Sequence, residues 1–80
     1  MSETIGTEFR GEHGSAAILV RYTSEGRPSG YVVAYAGNGY QGMHDEPTYN
    51  MASAWAREYV KTGSHRKAGE AADVVEKEGR

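Results

Sequence analysis

Eighty residues, no cysteine and a formal net charge of −2 confine this chain to one small domain and exclude disulfides, thiolate chemistry and Cys-ligated zinc. A chain of this size hides only about 60% of the surface its unfolded state exposes, so stability is expected at the low end of the usual range. The acidic balance argues against a generic polyanion binder, which needs clustered Lys and Arg; Glu3, Glu8, Glu12, Glu25 and Asp45 outnumber Arg10, Arg21 and Arg27 within residues 1–45, and the remainder is neutral.

No run approaches the roughly 18 apolar residues of a membrane span, and the opening MSETIGTEFRGE lacks the basic and apolar regions of a signal peptide, so a cytoplasmic location is expected. Thr4 to Arg10 alternates Ile5, Thr7 and Phe9 with polar or small residues, the period of a half-buried strand. Gly11 to Gly14 supplies a turn. Ser15 to Thr23, SAAILVRYT, is rich in β-branched and aromatic residues and predicts a second strand with Ala16, Ile18, Val20 and Tyr22 on one face. Ser24 to Ser29 is a short connection, for which antiparallel neighbours are the default. Gly30 to Ala36 predicts the central third strand. It has Tyr31, Val33 and Tyr35 on one face and Val32, Ala34 and Ala36 on the other, so neither face is polar and one is expected to receive a helix.

Gly37 to Gly42 and then Met43 to Pro47 are expected to be irregular, until Asp45 or Thr48 caps a helix with Pro47 near its opening. Met51, Ala52, Trp55, Ala56, Tyr59 and Val60 recur at three- and four-residue spacing, an amphipathic stripe that Gly63 ends. Ser64 is placed to cap a second helix to about Glu78. Its apolar face is thin (Ala68, Ala71, Ala72, Val75), which predicts a loosely docked tail. The expected fold is α+β: a three-stranded antiparallel sheet, an amphipathic helix packed on one face and a weaker C-terminal helix, divided as a β-β-β-α core over residues 1–63 and a helix or partly ordered tail over 64–80.

Motif by motif, the chemistry-bearing signals give way to packing. Gly37, Gly39 and Gly42 spell G-x-G-x-x-G after a strand, but a dinucleotide fold opens its helix within those glycines and follows with a parallel strand, so no cofactor is expected. Gly30 and Tyr31 match the start of an RNA-recognition signature that Ser29, Val32 and Val33 then break, and the strand-three tyrosines are read as core. Gly63 to Ala72, GSHRKAGEAA, is similar to the last helix of double-stranded-RNA-binding domains, with Arg57, Lys61, His65, Arg66 and Lys67 near the helix junction; Glu70, Asp73, Glu76 and Glu78 neutralise the neighbourhood. His44, Asp45 and Glu46 are adjacent, a poor way to converge on a metal. Ser53, His44 and Asp45 lack the strained turn that exposes a nucleophile. Neither a metal nor catalysis is expected, and what remains is binding through acidic clusters and Tyr40, an aromatic set among glycines.

In format, a compact Cys-free acidic chain with a three-stranded sheet, the Met51 to Val60 helix and a glycine-aromatic loop at Gly37 to Gly42, the protein resembles the small phage and mobile-element inhibitors of bacterial immunity, in particular anti-CRISPR proteins that act on type I surveillance complexes. The resemblance implies a non-enzymatic inhibitor, a monomer or weak homodimer in the host cytoplasm, that occludes a basic nucleic-acid-binding surface. Glu12, Asp45 and Glu46 would then stand in for phosphates as a DNA mimic does, and Tyr40 would anchor the contact. The alternative is a small DNA-binding module of three strands plus a helix, similar to plant AP2 and integrase arm-binding domains, with Arg10, Arg21 and Arg27 on the sheet. A homodimer paired through strand one is the third possibility.

Overall fold

The computed structural model describes residues 2–37 and 39–78, with side chains within 7–37 and 41–78. Four strands, β1 (Ser2–Gly11), β2 (Gly14–Tyr22), β3 (Pro28–Gly37) and β4 (Tyr40–Glu46), are followed by helices α1 (Tyr49–Thr62) and α2 (His65–Glu78). The strands form one antiparallel meander in the order β1-β2-β3-β4. The α+β class and antiparallel sheet agree with the sequence pattern, but the sheet has four strands and not three.

The fourth strand corrects the reading of 37–47 as irregular. β3 runs on through Gly37, which pairs with Tyr40, and the pairing continues from Ala36↔Gln41 to Tyr31↔Glu46. Gln41, Gly42, Asp45 and Glu46 are poor strand formers; pairing with β3 overrides their propensity. The sequence signal was the dipeptide Asn38-Gly39, the strongest short hairpin cue, and Gly39 has φ +87°, which only glycine adopts without cost. At the same end of the sheet the β1–β2 turn is locked against β3. A Cβ on Gly14 would collide with the Ala36 carbonyl oxygen, and one on Gly37 with that of His13.

The helices follow their sequence cues closely. Thr48 Oγ1 accepts the Met51 N–H at 3.2 Å, and Gly63 (φ 71°) ends α1, with its N–H donating to the Tyr59 carbonyl. Ser64 Oγ accepts the Lys67 N–H at 3.2 Å and so caps α2. The predicted α1 stripe is the buried one, and it packs with Ala16, Ile18 and Val33 of the sheet. Trp55 and Tyr59 are its largest buried side chains. Their rings stack at 5.3 Å, and Tyr35 packs against both. α2 lies on α1, where Ala68 and Ala72 are buried. Small alanines let the two helix backbones approach, so this thin face seals without large side chains.

Candidate functional site

Both helices lie on one side, so the sheet has an inner face and an outer one. Side chains alternate along a strand, and the register sets out the outer face as rows across the strands. Glu8, Ala17, Ala34 and Met43 form one row; Arg10, Ser15, Ala36 and Gln41 form the next; Leu19, Val32 and Asp45 form a third, beyond which Arg21 pairs with Gly30. The centre is apolar and built mostly of small residues. Val32 at 1% exposure is shielded by its neighbours, whereas Met43 at the β4 margin is 70% exposed.

Charge on this face is confined to the rim and cancels. Arg10 Nε pairs with Glu8 Oε1 on β1, and Arg21 Nη2 pairs with Asp45 Oδ1 at 3.0 Å, bridging β2 to β4 across β3. The Arg21 and Asp45 side chains are 51% and 65% exposed, and exposed pairs contribute about 0–1 kcal/mol. Stability is therefore a weak reason for the pattern. Its effect is to pair Arg10 and Arg21, the two cations of these rows, on the face itself.

Glu12, Tyr40, Asp45 and Glu46, the sequence-predicted contact residues, are split between two ends. Glu12 lies in the β1–β2 turn, at the end where Gly37 pairs with Tyr40; the Tyr40 side chain lies outside the described residues. Asp45 and Glu46 close β4 at the far end and point to opposite faces. Glu46 is on the inner side, its Oε2 2.6 Å from His44 Nε2, and its side chain is only 10% exposed. The His44 ring in turn stacks on Trp55 at 4.4 Å and 14°. This pair fastens the edge strand to α1.

The other paper constellations do not assemble. His44 bonds Glu46 and not Asp45, and Ser53 Oγ accepts a hydrogen bond from Arg57 at 3.4 Å on α1. Among the described residues no three His, Asp or Glu side chains are grouped to hold a metal, and no helix is long and apolar enough to cross a membrane. Arg57, Lys67 and the other basic residues of the helix junction lie on the helical side, and Arg57 sits 5.9 Å over the Phe9 ring.

The sequence pattern did not bring Ala17, Leu19, Ala34 and Met43 together on the outer face of the sheet, where the register places them. The signal for the first three was present: β2 and β3 are apolar at odd and even positions alike, which marks a sheet with two faces to cover. Met43 carried no such signal, because its place depends on β4. In comparisons with known proteins, no family model, curated protein or solved structure matches the chain.

Proposed function

We propose that this is a non-enzymatic protein-binding domain whose working surface is the outer face of the sheet. One observation carries the reading: an apolar centre of small residues is rimmed by Arg10–Glu8 and Arg21–Asp45, so both cations are neutralised on the face itself. A polyanion gains little from such a face, since counterion release needs unpaired Lys and Arg. A protein partner gains from it, because an apolar core within a mixed-charge rim is the anatomy of protein interfaces. The partner chemistry is thus a flat apolar patch edged by charges of both signs.

The cellular role we propose is inhibition of a bacterial immune complex of the type I surveillance class by steric occlusion. Phosphate mimicry draws less support than occlusion, as Asp45 and Glu46 are both bonded within the chain. The AP2-like alternative needs several basic side chains free on the sheet, and the Arg10 and Arg21 pairings count against it, leaving it Arg27 of the β2–β3 connection alone among the three it would use. Two measurements test the proposal. Random duplex DNA at low salt should give no gel shift, and a salt-sensitive complex would overturn the protein-binding reading. Titrated into a type I complex, the protein should lower target-DNA binding, with Ala34→Arg in the centre of the outer face relieving it; undiminished DNA binding would sink the inhibitor role.

A further inference from the structure

The two edges of the sheet are unequally protected. β1 carries a register irregularity between Thr4 and Glu8 and the charged Glu8 and Arg10, devices that keep an edge from pairing with another chain. β4 has none of these along Tyr40 to His44, its Asp45 and Glu46 are engaged by Arg21 and His44, and Pro47 comes only after its end. Beside it, a concavity of about 450 Å³ is lined by Ala34, Tyr35, Ala36, Gln41, Gly42 and Met43.

We infer that the β4 edge pairs with β4 of a second copy, joining two sheets into one of eight strands. An antiparallel pairing of identical strands is two-fold symmetric by construction, which is the geometry of an isologous dimer. Opposed residues must share a face, so the two-fold axis passes through a residue of β4. With Met43 on the axis, Met43 meets its own copy on the outer face and Gln41 faces the second copy's Asp45, amide against carboxylate. Gly42, over whose backbone the Tyr35 phenol lies, faces the second copy's His44, whose imidazole is held within its own chain by Trp55 and Glu46 and so does not compete for that space. No like charges oppose one another. Centring on Asp45 would set two carboxylates together, centring on His44 would set Met43 against Asp45, and centring on Gly42 would shorten the join against the turn. The Met43 register also covers the most exposed large apolar side chain among the described residues.

A seven-residue strand offers about six to eight backbone hydrogen bonds to such a join. Its area lies below the ~1,200 Å² of standard interfaces, so the dimer is weak and concentration-dependent. The inference rests on the sheet edge and is independent of the outer-face reading.

Light scattering of the full chain across a dilution series tests it, and the expected mass rises from one chain toward two. Met43→Lys should weaken the dimer at least about tenfold, because like charges meet on the axis and the thioether contact is lost; far-UV circular dichroism should be unchanged, as the side chain is exposed. The chain has no cysteine, so Met43→Cys supplies a single thiol, and mild oxidation should crosslink it to its own copy while the equally single thiol of Val74→Cys on α2 stays monomeric. A wild type that remains one chain at every concentration would overturn the inference, as would a Met43→Cys variant that crosslinks no faster than the α2 control. So would a dimer that survives Met43→Lys but is split by Ala34→Arg, which would put the second copy on the outer face.

Discussion

The inner and outer faces of this sheet are both apolar and behave as opposites. On the inner face the side chains are large and interlocked: Trp55, Tyr59, Tyr35, His44 and His65 form one ring cluster, and aromatics of this kind bury about 150–250 Å² each. On the outer face they are mostly small, and two neutralising ion pairs lie at the rim. The contrast teaches that hydrophobicity alone does not mark a core. Size and interlocking distinguish a face finished within the chain from one suited to a partner.

The sharpest way to break the contrast is to remove the centre of the inner cluster. Trp55→Ala should cost about 3–5 kcal/mol, enough to unfold most of so small a domain, as denaturant titration would show; a loss below about 1 kcal/mol would mean the cluster is not the core. A methyl group discriminates next. Gly42→Ala places a Cβ on the inner side 2.6 Å from the Tyr35 hydroxyl, and because that ring is wedged among Trp55, Tyr59 and His65 the overpacking should cost about 1–2 kcal/mol. The smallest effect belongs to the rim. Arg21→Ala should change stability by no more than about 0.5 kcal/mol, read as a nearly unmoved midpoint, while exposing an unpaired Asp45 to any outer-face partner. A large loss of stability there would show that the rim pairs hold the sheet together.

Most of the fold could be read from the chain, because its cues are local. The Met51 to Val60 stripe, the Thr48 cap and the Gly63 stop each lie within one turn of the helix they define, and the dense β-branched runs of β2 and β3 need no partner to be recognised. Of β4 only the turn was legible, in Asn38-Gly39; the strand itself was hidden because Gln41, Gly42, Asp45 and Glu46 are extended by their pairing with β3. With β4 went the reading of the site: Asp45 and Glu46 look like a neighbouring acidic pair in sequence, yet pleating sends one to Arg21 and the other to His44.

By itself the sequence determined the secondary elements whose signals are short-range: the helices with their caps, two interior strands, and a glycine break after the third. Tertiary structure decided what lies beyond the reach of a single turn. It decided that the chain returns after Gly39 as a fourth strand, that the aromatic stripes meet His44 and His65 in one cluster, and that an apolar face stays outside. Long-range pairing sets these because strand register and cross-strand neighbours are properties of two segments at once.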